Sequence, residues 1–210
     1  LRTPVAAILS SCEYMTNYAK DYEEMRTSAL SVKAEAERMS KLISQLLMIS
    51  RMDKNSLQLN YEDVDLGELL NFVCDEQEEI NNESSIVLHR DIEQDIVVSA
   101  DRFMMARLCI NLISNAYRYG KKDGNIYVSL TAEDKKAVLK VADDGIGIAE
   151  DQLPKIWERF YQADPARSES GSAGLGLSMV KWIASRHGGE VSASSKKGEG
   201  SVFTFVMERL

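Results

Sequence analysis

Asp143-Asp144-Gly145-Ile146-Gly147-Ile148 follows directly on Val138–Ala142, a run that reads as a strand. Two glycines let backbone come close to a ligand. A carboxylate at a strand end can accept a hydrogen bond from an exocyclic amine, such as adenine N6. An acidic turn has the same composition, so the segment gains its meaning from what surrounds it.

Downstream, Ser170-Gly171-Ser172-Ala173-Gly174-Leu175-Gly176-Leu177 opens a helix expected over Leu175–His187. A glycine-rich helix entry presents unpaired N–H groups and a positive dipole end to phosphate oxygens. It is not a Walker loop, because no Gly-Lys-Ser/Thr follows, and it does not open a strand-turn-helix dinucleotide unit. Upstream, Asn111-Leu112-Ile113-Ser114-Asn115-Ala116-Tyr117-Arg118-Tyr119-Gly120 ends a helix expected over Asp101–Tyr119. Asn111 and Asn115 are four apart and share a face. Leu108, Leu112 and Ala116 make the adjoining apolar stripe, Arg118 supplies a cation for phosphate, and Tyr119 an aromatic face.

Further elements are expected as a helix over Leu66–Ile80 and strands near Ile86–Arg90, Ile96–Ser99, Ile126–Thr131 and Ala137–Ala142. A closing hairpin, Glu190–Ser194 and Gly200–Met207, turns around Lys196-Lys197-Gly198. Strands and helices mix without a regular βαβ beat, so residues 57–210 read as an α+β domain, a mixed sheet with helices on one face. Asp53–Asp65 reads as a polar linker holding a short strand at Leu57–Asn60.

Residues 1–56 read differently. A helix over residues 4–19 carries Val5, Ile8, Leu9, Cys12, Met15 and Tyr18 at three- and four-residue steps. A longer one over Asp21–Met52 carries Met25, Ala29, Val32, Ala36, Met39, Ile43 and Leu46, the 3.5-residue repeat of a bundle seam. The short connection at Lys20 makes them an antiparallel hairpin. Leu42, Leu47 and Ile49 widen the stripe beyond what two helices can cover, which points to a homodimer with a four-helix bundle.

Charge is unevenly spread. Residues 1–56 hold 8 basic and 7 acidic side chains; residues 57–210 hold 17 and 26. An acidic domain is a poor polyanion binder, so a nucleic-acid role is excluded and a triphosphate would need local donors and a metal. Cys12, Cys74 and Cys109 share no metal-ligand spacing and read as reduced, space-filling thiols of a cytoplasmic protein. No run reaches the roughly 18 to 20 apolar residues of a membrane span. The chain opens on Leu-Arg-Thr-Pro rather than Met, so it reads as a piece of a longer protein, with any membrane segment upstream.

The order of the three glycine- and asparagine-bearing segments resembles the ATP-binding fold shared by sensor histidine kinases, type II topoisomerases, heat-shock chaperones and mismatch-repair ATPases. Within that group the whole chain resembles a sensor histidine kinase. The resemblance implies Mg²⁺-ATP in the second domain: Asn115 on Mg²⁺, Asn111 and Arg118 facing phosphates, Tyr119 on the adenine, and Asp143 accepting from its amine. It also implies Gly145, Gly147 and Ile148 shaping the pocket, Gly174, Leu175, Gly176 and Leu177 passing the phosphates, and Thr204 closing the adenine end. Ile156-Trp157-Glu158-Arg159-Phe160-Tyr161 resembles the family's phenylalanine box in a lid spanning about residues 150–173. Asp144 stands where the family often has Asn, Ser172 where it often has Gly, and Gln162 where an Arg is frequent.

Hydrolysing relatives place a carboxylate four residues before the metal-binding Asn. Here that position is Asn111, an amide that takes no proton, so the resemblance favours transfer over hydrolysis. In the kinases the acceptor lies in the pattern His-Glu-Leu-Arg-Thr-Pro. Leu1-Arg2-Thr3-Pro4 matches its tail, with the phosphoacceptor just upstream of Leu1, so this chain is expected to bind ATP without phosphorylating itself. Thr3 would position water for dephosphorylating a response regulator receiver domain, the implied partner, which would dock near Tyr14–Met25. His89, in an edge-like strand, and His187, a cation completing a helix dipole, are expected to be structural. A non-enzymatic ATP-dependent adaptor and an ATPase are the alternatives.

Overall fold

The computed structural model describes residues 2–18, 21–53, 57–163 and 174–210. The chain divides into two units, Leu1–Gln58 and Leu59–Leu210. The expected connection at Lys20 and the serine-rich stretch Ser168–Ser172 lie outside the described residues.

The first unit is a helical hairpin of α1 (Arg2–Asn17) and α2 (Tyr22–Asp53), packed on each other. Asp21 starts α2 by accepting from the Glu24 N–H at 2.9 Å. The expected stripe is split in two. Val32, Met39, Leu42 and Leu46 are half-buried and Ile49 buried, whereas Met25, Ala29, Ala36, Ile43 and Leu47 are exposed. A stripe wider than one helix can cover leaves its far edge open. Leu9 on α1 is likewise 59% exposed.

The second unit is built on a five-stranded mixed sheet in the order β2-β4-β5-β7-β6, from β2 (Val87–Ile92), β4 (Asn125–Glu133), β5 (Lys136–Asp143), β6 (Glu190–Lys196) and β7 (Gly200–Glu208). Only β2 and β4 run parallel. Helices α3 (Leu66–Ile80), α4 (Arg102–Tyr119) and α5 (Gly176–Arg186) pack against one another and onto the sheet. Period-two alternation sends Ile126, Val128, Leu130, Val141, Phe203 and Phe205 into the helix-facing core, all at most 6% exposed.

Two expectations fail here. Leu57–Asn60 forms no strand; the short strand is β1 (Glu62–Asp65), paired antiparallel with β3 (Val97–Ala100). Val64 fixes it there, fully buried opposite Val98. The Asn60 N–H instead donates to Asp101 Oδ2 at 2.9 Å.

His187 is not a cation at a helix end. It is 9% exposed, its Nδ1 donates to the Ile183 carbonyl at 2.7 Å, and its Nε2 accepts from the Asp101 N–H at 3.0 Å. An imidazole nitrogen that accepts from an amide carries no proton, so the ring is neutral and serves as a structural bridge between α5 and α4. His89 does lie on an edge strand, exposed and stacked on Tyr127 at 4.7 Å between centroids.

Candidate functional site between α4, α5 and the sheet end

Asp101 caps α4 by accepting from the Met104 N–H at 2.9 Å. Leu108, Leu112 and Ala116 then face the core, at most 3% exposed, and Asn111 and Asn115 lie half-buried beside them. Asn111 Nδ2 donates back to the Arg107 carbonyl at 2.9 Å. That turns its amide oxygen toward the start of α5, where it lies 3.2 Å from the Cβ position of Gly176. Among the described residues the Asn115 side chain has no hydrogen-bond partner and borders a cavity.

β5 carries Asp143 to the other wall of that cavity, 8% exposed, its Oδ1 accepting from the Gly145 N–H at 2.9 Å. Burial raises its pKa above the ordinary carboxylate value, against the pull of the Gly145 and Ser201 N–H groups, and neighbouring Asp144 raises it further. Asp144 turns away. Burial would raise it too, but hydrogen bonds from the Asn125 N–H and side chain and from Lys121 hold it below the usual range.

The loop after Asp143 is pinned from both sides. A Cβ on Gly145 would sit 2.1 Å from the Tyr119 carbonyl, which itself accepts from the Ile146 N–H at 3.1 Å. Gly147 adopts φ +62, and its Cβ would sit 2.0 Å from the Lys196 carbonyl. The Ile148 N–H donates to Ser195 Oγ at 2.7 Å, and Gly198 N–H to the Ile146 carbonyl at 2.7 Å. The loop thus fastens α4 to the β6–β7 hairpin.

These elements border a cavity of about 620 Å³, counting the part open to solvent. Asn115, Tyr119, Asp143, Gly147, Ile148 and Leu177 all line it, so six of the expected residues come together. Asn111, Arg118, Gly145, Gly174, Leu175 and Gly176 do not line it. Leu175 is 1% exposed and packs in the core, while the Gly174 carbonyl accepts from the Phe160 N–H at 2.8 Å. Ser170 to Ala173 lie outside the described residues, as does the side chain of Thr3 in the first turn of α1.

Thr204 is on the wrong face. Its register partners are Lys140 and Ser192, and alternation along β7 turns it away from the helices. Ser201 and Phe203, of the opposite parity, line the cavity instead. Ile156, from a single 3-10 turn at Lys155–Trp157, and Tyr161, Gln162 and Ala163 complete the wall. Trp157 supports this segment edge-on against Phe203, 6.2 Å between centroids.

An apolar slot with one buried carboxylate, bordered by an amide with no partner among the described residues and by the first turn of a helix, marks a candidate small-molecule site in an α+β domain. Comparison with known proteins makes this specific. The profile described as histidine kinase-, DNA gyrase B- and HSP90-like ATPase matches residues 100–209, and the His Kinase A (phospho-acceptor) domain profile matches residues 1–55. The chain belongs to the histidine kinase-, DNA gyrase B- and HSP90-like ATPase family and carries a phospho-acceptor-type helical hairpin ahead of its ATP-binding domain.

It is 31% identical to sensor histidine kinase WalK of Bacillus subtilis, over 99% of this chain and 34% of that protein. It is also 31% identical to sensor-like histidine kinase SenX3 of Mycobacterium tuberculosis, over 100% and 52%. The chain thus spans between a third and about half of the length of these curated relatives. Among solved structures, the histidine kinase AdeS of Acinetobacter baumannii superposes with TM-score 0.76 at 25% identity, covering 99% of this chain and 95% of that one. Histidine kinase ThkA, solved with the response regulator protein TrrA, shares the fold with TM-score 0.76 at 23% identity, over 100% and 58%.

Proposed function

We propose that the chain binds Mg²⁺-ATP in this cavity and delivers the γ-phosphoryl group to a histidine of the phospho-acceptor hairpin, and from there to an aspartate of a response regulator. The observation that carries the reading is the meeting of Asp143 and Asn115 on one cavity. Asp143 offers an ionised acceptor to the adenine amine while Tyr119, Ile146, Ile148 and Phe203 cover the base. Gly145 and Gly147 shape the turn that holds the carboxylate in place. Asn115 and Asn111 face the phosphates with amide oxygens, the hard donors that Mg²⁺ takes. No cluster of three or more His, Cys, Asp or Glu exists among the described residues, so the ion would arrive with the nucleotide. Bound there, Mg²⁺ would screen the phosphate charge. Arg118, Gly174, Leu175, Gly176 and Leu177 would border the phosphate path through backbone and charge.

Transfer fits better than hydrolysis because Asp143 is the only carboxylate lining the cavity among the described residues, and it is committed to the base. A neutral imidazole nitrogen attacks the γ-phosphorus, the bond to the β–γ bridging oxygen breaks, and ADP leaves with that electron pair. The second ring nitrogen then gives its proton to the ionised carboxylate of the neighbouring acidic residue. His89 and His187 are not this imidazole: one is stacked on an outer strand and the other is locked as a helix bridge. The acceptor would belong to the family's His-Glu-Leu-Arg-Thr-Pro pattern, whose last four residues Leu1 to Pro4 match, with Thr3 aligning water to hydrolyse the regulator's aspartyl phosphate.

The exposed edge of the α2 stripe supports a homodimer through a four-helix bundle. The exposed Tyr14, Tyr18, Tyr22 and Met25 near the hairpin end suit a receiver domain, as does the likeness to a kinase solved with its regulator. No described helix is long and apolar enough to cross a membrane. The chain spans only 34% of WalK and 52% of SenX3, which supports placing it as the cytoplasmic piece of a longer sensor. Labelled ATP provides the test: the chain as given binds it and gains no acid-labile label, while the chain preceded by His-Glu becomes labelled. Labelling of the chain as given, or none in the extended chain, refutes the assignment.

A further inference from the structure

Arg107 lies one turn before Asn111 on α4, so Arg107, Asn111 and Asn115 form a row on one face at steps of four. At 1.5 Å per residue the row runs about 12 Å along the helix, away from the end that meets Asp143. Arg107 Nε donates to Met179 Sδ at 3.0 Å, and Asn111 Nδ2 lies 3.9 Å from the same sulfur. Met179 sits on the first turn of α5, three residues after Gly176, which faces Asn111 Oδ1. The guanidinium is therefore wedged between α4 and the start of α5, beside the Asn111 amide.

Its partner there is a poor one. A thioether is a weak acceptor, and a guanidinium has five donors to place. Among the described residues Arg107 has no carboxylate neighbour, and burial alone lowers its pKa. Arg90 shows the usual arrangement: it is bound by both Asp75 and Glu78. A half-buried cation without a counter-ion works against folding unless an anion joins it.

We propose that Arg107 contacts the terminal phosphate of bound ATP, as the last member of the row Asn115, Asn111, Arg107. The inference rests on the cavity being the ATP site. The base end is fixed by Asp143 and Tyr119, so the phosphates extend along α4 past Asn115 and Asn111. Arg107 is then the next charge they meet, and it would discriminate triphosphate from diphosphate.

The experiment compares dissociation constants of Mg²⁺-ATP and Mg²⁺-ADP for the full chain and for Arg107→Gln. Loss of a contact between two charged groups should weaken ATP by about tenfold or more. ADP, which ends short of Arg107, should change by less than about twofold, and its retained binding also reports an intact fold. Arg107→Lys, which keeps the charge, should recover part of the ATP affinity, and Met179→Leu should leave the ATP-to-ADP ratio unchanged. Equal weakening of both nucleotides would mean that Arg107 only packs α4 on α5, and no change in either would mean that it meets no phosphate; each overturns the inference. Failure of the unsubstituted chain to bind either nucleotide would overturn the cavity assignment and this inference with it.

Discussion

Replacing Asp143 by Asn changes one atom and tests the base-reading role directly. In the native domain Oδ1 accepts from the Gly145 N–H at 2.9 Å in a position only 8% exposed. An Asn there keeps its amide oxygen on that N–H, because the loop is pinned by the Tyr119 carbonyl and cannot turn. Its NH₂ then faces the cavity, donor against the adenine amine's donor. The loss of a hydrogen bond to a charged acceptor is worth about 1.5–3 kcal/mol, and the mismatch adds to it. A total of about 2–4 kcal/mol corresponds to roughly thirty- to several-hundredfold weaker ATP binding.

Guanine presents O6, an acceptor, where adenine presents an amine. Asp143 repels it and Asn would donate to it, so the ATP-over-GTP preference should collapse or invert. Calorimetric titration of both nucleotides into both proteins measures this. An unchanged ATP-to-GTP ratio would show that Asp143 does not read the base.

The raised pKa of Asp143 adds a pH signature. Its ionised form is the acceptor, so ATP affinity should fall as pH drops through that raised value, above where an exposed carboxylate titrates, and Asp143→Asn should lack this step. The stability sign is opposite. A group that holds its proton more tightly when folded contributes stability at low pH and loses it as pH rises through the folded pKa. Above the folded pKa the ionised carboxylate therefore opposes folding of the empty domain.

Gly147→Ala forces a side chain onto φ +62 and a Cβ to within 2.0 Å of the Lys196 carbonyl. Left-handed strain alone is about 1–2 kcal/mol, so Tm should fall by at least about 2–6 °C, with weaker ATP binding; Gly198→Ala, with φ +86 but nothing within 4 Å of its Cβ, should cost less. Asp101→Ala removes the α4 cap and the acceptor of the Asn60 N–H together. A loss of about 1–3 kcal/mol should lower Tm by about 3–10 °C while leaving ATP affinity unchanged at temperatures where the variant is folded, as calorimetry would show.

The sequence made long periodic elements legible and parity and pairing much less so. The helix over Leu66–Ile80 is found as expected because a capping Asp65 and a strong apolar face agree on it. β1 was invisible because four residues with one buried valine carry no periodic signal, and its partner strand alone decides its place. Thr204 was misassigned by one step of a period-two strand, an error that moves a side chain through the sheet. The alternation of Ser201, Phe203, Phe205 and Met207 was available to correct it. His187 read as a helix-end cation because no local pattern reveals that the Asp101 amide, far away in sequence, donates to it. Asp143 and Asn115 were legible as types, but their convergence on one cavity depends on α4 and β5 meeting through the Gly145 contact.

The same geometry explains why a pocket of this kind needs a partner. Asn111, one helical turn before Asn115, is an amide that takes no proton, and it is already bonded to the Arg107 carbonyl. Asp144 has a carboxylate to spare in composition but spends it outside the cavity, on Asn125 and Lys121. With Asp143 assigned to the base in the proposed reading, no other carboxylate among the described cavity walls could activate water. In the proposed reading the domain holds and orients the triphosphate, and the attacking atom is brought to it. In the proposed reading the helical hairpin, with half of its apolar stripe exposed, carries that atom.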